Sequence, residues 1–174
     1  MVQKALKLIK KYHGPVKRKS GEPFYLHPVM VATIANSYHP DTNTILGALL
    51  HDVVEDTAVT LPQIALMFND EVANIVDGVT HLDSLGKAVY KLQLGEHENF
   101  VQLLDAEDKR VLYVKLADRT HNMRTIQGHS KVAKQKQIAG ETIAFFVPVA
   151  KYLGLMELAA ELQKRSEEVM NKEE

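Results

Sequence analysis

Apolar residues recur at helical spacing along almost the whole chain, and no segment shows the alternation of apolar and polar residues that a half-buried strand requires. Gly14-Pro15 and Gly128 interrupt that spacing and mark helix ends. The first four predicted helices run from Val2 to Tyr12, from Pro28 until Ser37 to Pro40 break the pattern, from Asp41 or Thr42 to Val54, and from Thr60 to Phe68. The others run from Asn69 or Asp70 to about Thr80, from Asp108 to Ile126, from Ser130 to Leu153 and from Leu155 to about Met170. The pattern therefore predicts an all-α fold.

Local signals refine some of these segments. Thr60 and Gln63 have the spacing of a capping box, which begins a short helix. Pro148 falls inside a predicted helix and is expected to kink it. Residues 82–97 contain two glycines and little periodicity, which predicts a surface loop near a ligand, and the helical pattern returns from about Glu98.

Size and composition predict one domain over residues 1–174, with a charged tail from Glu167 to Glu174. The 21 Lys and Arg residues against 22 Asp and Glu give a formal charge of -1, which argues against nucleic-acid binding. The lack of cysteine excludes disulfides and thiolate metal ligands, and no apolar run is long enough for a membrane span. We therefore expect a cytoplasmic protein, in which any metal is held by histidines, carboxylates or amides.

Four ionisable residues end the otherwise apolar third helix: His51, Asp52, Glu55 and Asp56. Helical spacing places His51 above Glu55 and Asp52 above Asp56, so the first pair is suited to bind a metal while the second faces a substrate one turn away. The alternative interpretation is a solvated helix terminus, because charge runs usually mark exposed faces.

His27 and Asp118 favour the metal interpretation. Asp118 lies on the apolar face of a later helix, where a buried carboxylate needs a partner. Two imidazoles and two carboxylates form a nitrogen and oxygen donor set that suits Mn²⁺ or Fe²⁺. The alternatives are that His27 caps a helix and that Asp118 pairs with Arg119 or Arg124.

Basic residues cluster near the N-terminus, where residues 1–21 contain seven Lys and Arg and no acidic residue. This segment is expected to attract an anion, and a loop over Arg18, Lys19 and Ser20 offers a guanidinium plane and a hydroxyl to a base. A solubilising surface loop is the alternative. A second basic group surrounds Asp118 and is a candidate for phosphate binding; its members are Lys115, Arg119 and Arg124.

Three motifs, in this order along the chain, resemble the hydrolase domain of the RelA/SpoT family: Arg18 to Pro28, His51 to Thr57 and Lys115 to Thr125. The resemblance extends to Gly78 and Pro148 and so covers nearly the whole chain. Because no synthetase domain follows, the chain is similar to the small single-domain alarmone hydrolases of the Mesh1 type.

The resemblance implies a single HD-domain helical bundle that binds Mn²⁺ and a nucleotide. The implied metal ligands are His27, His51, Asp52 and Asp118. Glu55 and Asp56 are implied to order or activate the attacking water and to move protons. The purine is implied to bind Arg18, Lys19 and Ser20, and the base or ribose to contact Asn122. The implied reaction hydrolyses the 3′-pyrophosphate of guanosine tetra- or pentaphosphate to GDP or GTP and pyrophosphate.

Three residues depart from the family pattern: Phe146 replaces a common Tyr, Thr120 a Leu and Tyr152 an Arg. Such changes bear on which nucleotide is preferred. Hydrolysis of adenosine 3′-pyrophosphates or of the NADPH phosphate is therefore an alternative. A sensor that binds alarmone without turnover is a further alternative, against which the intact metal and water-activating residues argue.

Overall fold

A computed structural model describes residues 1–80 and 108–172. Within these ranges the chain is helical, apart from loops and one isolated bridge between Lys17 and Pro23. The α-helices are α1 (Val2–His13), α2 (Leu26–Tyr38), α3 (Thr42–Leu50), α4 (Val53–Asp56), α5 (Leu61–Met67), α6 (70–80), α7 (Lys109–Arg124), α8 (Val132–Glu141), α9 (Val147–Tyr152) and α10 (Met156–Met170). The predicted all-α fold is confirmed.

Helices α2, α3 and α7 form the centre of the bundle, since each of them packs against the other two. Apolar side chains from all three are fully buried there, among them Val31, Leu46 and Leu116. Helix α1 covers α3, while α8 and α9 each pack against α10, which also contacts α7. Polar residues on the inner faces of α2, α3 and α7 must therefore meet inside the core.

Side-chain caps begin several helices as predicted. Asp41 accepts a hydrogen bond from the backbone N–H of Thr44 at 2.8 Å and caps α3. The capping box of α5 is present, and the Gln63 side chain accepts from the backbone N–H of Thr60 at 3.0 Å. Asn69 accepts from a backbone N–H three residues later and so begins α6. These signals were readable because each cap involves residues close in sequence.

Two long predicted helices are each divided in the structure. The third helix does not continue to Val54 but ends at Leu50. At this end, Nδ1 of His51 donates a hydrogen bond to the carbonyl oxygen of Ala48 in place of a backbone N–H. The helix predicted from Ser130 to Leu153 consists of α8, a π-helical turn and α9, with Pro148 in the first turn of α9. Proline has no backbone N–H and so cannot make the regular helical hydrogen bond, and the wider π-helical turn is where the helix adjusts to this loss.

The C-terminal helix α10 extends through Met170, so the first residues of the predicted charged tail are helical and Val169 is buried. The predicted loop over residues 82–97 and the helical pattern from Glu98 lie outside the described residues. Among the described helices, none combines the length and the apolar character that crossing a membrane demands.

Candidate active site

Three segments bring two imidazoles and two carboxylates together in the core. His27 lies in the first turn of α2, His51 and Asp52 form the turn between α3 and α4, and Asp118 lies within α7. Nε2 of His27 is 3.2 Å from Oδ1 of Asp118 and 3.6 Å from Oδ2 of Asp52. Nε2 of His51 is 3.1 Å from Oδ1 of Asp52. All four residues predicted to hold a metal therefore meet at one point.

The ring of His51 is oriented as a metal ligand would be. Its Nδ1 donates to the carbonyl oxygen of Ala48 at 2.8 Å, which is a common second contact of metal-binding histidines. Its Nε2 is buried and faces the carboxylate of Asp52 at 3.1 Å. Donor atoms of His27, His51 and Asp118 all lie within 4.8 Å of one another. This group of nitrogen and oxygen donors fits a divalent cation.

The carboxylates favour a positive charge at the same point. Burial opposes protonation of His51, but Asp52 and Asp118 outweigh it and raise the pKa of His51 to about 9. Burial alone would raise the pKa of Asp118, but the Lys115 ammonium and the neighbouring imidazoles hold that pKa well below its usual range. The two carboxylates therefore stay ionised and attract a cation.

Asp118 is held by neighbours on its own helix. The Lys115 ammonium donates to Oδ2 of Asp118 at 2.8 Å, and the amide of Asn122 donates to Oδ1 at 2.7 Å. The alternative partners Arg119 and Arg124 instead pair with glutamates on α8 and α10. The alternative that His27 caps a helix is also wrong, because its side chain contacts the Asp118 carboxylate.

Glu55 and Asp56 end α4 and line a cavity of about 390 Å³. The four candidate metal ligands line it too and are called the metal cluster below: His27, His51, Asp52 and Asp118. Both side chains are exposed, and the Thr80 hydroxyl donates to Oε1 of Glu55 at 2.8 Å. Burial, followed by the negative charge of Asp52, raises the pKa of Asp56. Both carboxyl groups thus lie beside the cluster and are open to water, as proton transfer requires.

The basic loop lines a second cavity, of about 320 Å³, through Arg18, Lys19 and Ser20. The backbone N–H of Arg18 donates to the carbonyl four residues on, and Gly21 has a φ of 90°, which closes a tight loop. A β-carbon on Gly128 would lie 3.1 Å from the backbone nitrogen of Ser20. The loop is therefore a shaped wall of this cavity rather than a free surface segment.

Arg18 and Asn122, predicted as two separate nucleotide contacts, are hydrogen-bonded to each other. Nη2 of Arg18 donates to Oδ1 of Asn122 at 2.8 Å, and Nη1 lies 3.1 Å from Nδ1 of His121. Both Arg18 and Asn122 line the two cavities. They form the boundary between the cavity of the metal cluster and the cavity of the basic loop.

A family model described as "HD domain" matches residues 5–156. The chain belongs to the HD-domain family. The matched range contains all four candidate ligands of the metal, namely His27, His51, Asp52 and Asp118, and both carboxylates of α4.

Curated relatives share much of this sequence. A guanosine-3′,5′-bis(diphosphate) 3′-pyrophosphohydrolase of Haemophilus influenzae is 44% identical over 156 residues, which are 88% of this chain and 23% of that protein. A GTP pyrophosphokinase of Myxococcus xanthus is 41% identical over 169 residues, which are 95% of this chain and 22% of that protein. The chain spans about a fifth of the length of these relatives.

A solved structure has the same fold. It comes from work on a metazoan ortholog of SpoT that hydrolyzes ppGpp and plays a role in starvation responses. It matches this chain with a TM-score of 0.67 and 25% identity, over 96% of this chain and 92% of that one. Together with the curated relatives, this match confirms the resemblance to the RelA/SpoT hydrolase domain.

The structure adds two residues that line the cavities, and one that contacts lining residues, which sequence reasoning missed. His129 lines both cavities, Lys134 lines the cavity of the metal cluster, and His121 contacts both Arg18 and His27. Burial lowers the pKa of His121 to about 4, and the neighbouring His27 ring and Arg18 guanidinium act in the same direction. The position of His121 directly before Asn122 in the third motif was the available signal; His129 and Lys134 had none.

Of the three residues predicted to form a second basic group, two line the same cavity and the third does not. Lys115 and Arg119 line the cavity of the metal cluster, whereas Arg124 pairs with Glu161 at 2.8 Å on the outer side of α7. Arg119 is buried, pairs with Glu141 at 3.3 Å and lies 4.2 Å from the centre of a phenylalanine ring. Arg124 is therefore not a phosphate ligand of this cavity.

The three departures from the family pattern have different surroundings. The guanidinium of Arg119, which lines the cavity, lies over the ring of Phe146. The hydroxyl of Thr120 is buried and donates to the carbonyl of Leu116 at 2.7 Å, within its own helix. Tyr152 lies beneath the ammonium of Lys109. Phe146 therefore contacts a residue that lines the cavity of the metal cluster.

Proposed function

We propose that this chain hydrolyses the 3′-pyrophosphate of guanosine tetra- or pentaphosphate in a Mn²⁺-dependent reaction. The observation that carries the proposal is the junction of two cavities: one holds the metal cluster and the α4 carboxylates, and the other is lined by the basic loop. Residues Arg18 and Asn122 belong to both. The Haemophilus relative is named as a guanosine-3′,5′-bis(diphosphate) 3′-pyrophosphohydrolase and the metazoan SpoT ortholog hydrolyzes ppGpp, which supports this choice of substrate.

His27, His51, Asp52 and Asp118 would hold the metal. Their donors are imidazole nitrogens and carboxylate oxygens, a set that suits Mn²⁺. When bound, the ion supplies a Lewis acid for a phosphoryl oxygen and lowers the pKa of a water molecule. Lys115 keeps Asp118 ionised, and the Ala48 carbonyl keeps Nε2 of His51 directed at the cluster.

Glu55 and Asp56 would handle the protons of the reaction. Water attacks the phosphorus bonded to the ribose 3′-oxygen, the bond from that phosphorus to the 3′-oxygen breaks, and the 3′-oxygen takes a proton. The raised pKa of Asp56 suits it to accept the proton of the water and to return it, while Thr80 orients Glu55. The products are GDP or GTP and pyrophosphate.

The basic loop would hold the purine. The guanidinium of Arg18 and the hydroxyl of Ser20 line a cavity that Gly128 allows to be narrow. Lys115, Arg119 and Lys134 place positive charge along the neighbouring cavity, which favours a highly anionic substrate. A cytoplasmic location and the absence of nucleic-acid binding stay predictions, which rest on the cysteine-free composition and the formal charge of -1.

Product analysis tests the proposal. Purified protein loaded with Mn²⁺ is incubated with guanosine 3′-pyrophosphates, adenosine 3′-pyrophosphates and NADPH, and products are separated by anion exchange. We expect pyrophosphate and GDP or GTP from the guanosine substrates, and no turnover by His51→Ala/Asp52→Ala. As a matched control, His39→Ala removes a histidine whose ring stacks on Tyr113 and should retain activity.

Each other outcome contradicts a defined part of the proposal. Faster turnover of the adenosine substrates or of NADPH would assign a different nucleotide. Binding of guanosine tetraphosphate without products, in protein shown to contain metal, would assign a sensor. Full activity of the double variant after treatment with a chelator would exclude the metal cluster from the reaction.

A further inference from the structure

His27 makes an unusual second contact for a candidate metal ligand. Its Nε2 faces the carboxylates of the metal cluster, while its Nδ1 lies 2.8 Å from Nδ1 of His121. Metal-binding histidines ordinarily donate the second ring N–H to a carboxylate, a carbonyl or water, as His51 does here. Because the partner of His27 is another imidazole, the direction of this hydrogen bond depends on which ring carries the proton.

Arg18 resolves that direction. Its Nη1 lies 3.1 Å from the same Nδ1 of His121, and a guanidinium can only donate. A proton on Nδ1 of His121 would face the N–H of Arg18, so this nitrogen must accept. The proton between the two rings therefore belongs to Nδ1 of His27, so Nε2 is the nitrogen of His27 that can give its lone pair to a metal in the cluster.

A second branch connects Arg18 to Asp118. The Arg18 guanidinium donates to Oδ1 of Asn122 at 2.8 Å, and the Asn122 amide donates to Oδ1 of Asp118 at 2.7 Å. Asp118, His121 and Asn122 share one face of α7, because they are spaced three and four residues apart. One guanidinium on the basic loop thus supports two candidate ligands that come from different helices.

We propose that His121, fixed by Arg18, is a positioning residue of the metal centre that holds His27 in its metal-binding tautomer. This inference rests on the proposed function for the identity of the ligands. It gives Arg18 a second role, since a residue of the nucleotide cavity also supports metal binding. Replacing Arg18 should then weaken metal binding in the absence of any nucleotide, beyond its effect on the purine.

Calorimetric titration with Mn²⁺ tests the proposal on metal-depleted protein without nucleotide. His121→Phe keeps a ring of similar size but removes the acceptor, and we expect the Kd for Mn²⁺ to rise by roughly 10- to 100-fold. His121→Asn restores an acceptor oxygen and should bind more tightly than His121→Phe. His39→Phe, which changes a histidine stacked on Tyr113 away from the cavities, is the matched control and should match the unsubstituted chain.

The tautomer of His27 provides a second measurement, and a purely structural role of His121 would leave this tautomer unchanged. Nitrogen-15 spectra of the metal-free protein should show a proton on Nδ1 of His27, and His121→Phe should lower the occupancy of that proton in favour of Nε2. If His121→Phe does not fold, Arg18→Met at a half-buried position makes the same comparison, because it removes the donor that forces Nδ1 of His121 to accept.

The outcomes separate this inference from the proposed function. If the unsubstituted chain does not bind Mn²⁺, the metal assignment of the proposed function fails. If that chain binds Mn²⁺ and His121→Phe or Arg18→Met binds it equally well, with the His27 tautomer unchanged, the positioning role is wrong while the proposed function stands.

Discussion

The buried pair of Arg119 and Glu141 predicts a large loss of stability when its charge balance is broken. Nη2 of Arg119 lies 3.3 Å from Oε2 of Glu141, and their side chains are 9% and 7% exposed. The guanidinium also lies 4.2 Å from the centre of the Phe146 ring and 3.4 Å from the carbonyl oxygen of Ile138. Glu141→Gln removes the negative charge and leaves Arg119 charged in a nearly dry environment.

The size of the stability loss depends on the interactions that Arg119 keeps in the Glu141→Gln protein. Breaking a buried ion pair by removing one partner costs about 3–5 kcal/mol, because the remaining charge is not compensated. The glutamine oxygen can still accept one hydrogen bond, which returns about 1–1.5 kcal/mol, and the contact with Phe146 is unchanged. We therefore expect Glu141→Gln to lower the free energy of unfolding by about 1.5–4 kcal/mol.

Urea unfolding of the metal-free protein, followed by circular dichroism, measures this loss. Glu71→Gln is the surface control, since Glu71 pairs with Arg110 in an exposed position and its replacement should change stability little. Arg119→Met combined with Glu141→Leu replaces both charges with apolar groups and should recover most of the loss. A Glu141→Gln protein as stable as the Glu71→Gln protein, or a double variant less stable than Glu141→Gln, would refute the reasoning.

Three further predictions concern other parts of the molecule. Glu55→Gln and Asp56→Asn should retain Mn²⁺ in a calorimetric titration but lose roughly 10²- to 10⁴-fold in kcat; metal loss would instead make them ligands. Bonds from Arg124 lower the pKa of Glu161 from 4.5 to about 2, so this contribution to stability is present above pH 4.5 and is lost as the pH falls toward 2; Arg124→Met should flatten that decline in urea unfolding, and an unchanged decline would contradict it. A β-carbon on Gly47 would clash with the side chain of Ile75 on α6, so Gly47→Ala should lower the thermal midpoint, at a cost of about 1–3 kcal/mol, and an unchanged midpoint would contradict this.

The sequence predicted those features whose causes are local. Caps such as that of Asp41 involve a residue and a backbone N–H three positions later, so they are visible in a short window. The division of the third helix was missed because it depends on where the His51 ring points, and helical spacing carries no such information. The π-helical turn before Pro148 was missed in part, since proline predicts a disturbance but not its form.

The candidate site divides in the same way. His51 and Asp52 were conspicuous because ionisable residues ended an apolar helix, and Asp118 because a carboxylate lay on a face expected to be buried. The partners of Asp118 were not predictable, since sequence proximity offered Arg119 and Arg124 equally well as Lys115. The contact between His27 and His121 joins residues 94 positions apart, and only the packing of α2 on α7 brings them together.

Helix α7 shows why the fold and the site depend on each other. Its central residues Lys115, Asp118, Arg119 and His121 are polar yet buried, which would be costly for a helix that merely completes a core. Each is offset by a specific partner: Lys115 by Asp118, Arg119 by a glutamate of α8, and His121 by Arg18 and a ring of α2. Apolar burial would tolerate small rotations of α7, but these directional contacts do not. The residues that form the cavity wall therefore also fix the position and rotation of α7. This in turn fixes the position of the metal ligand on α7 relative to the ligands on the other helices.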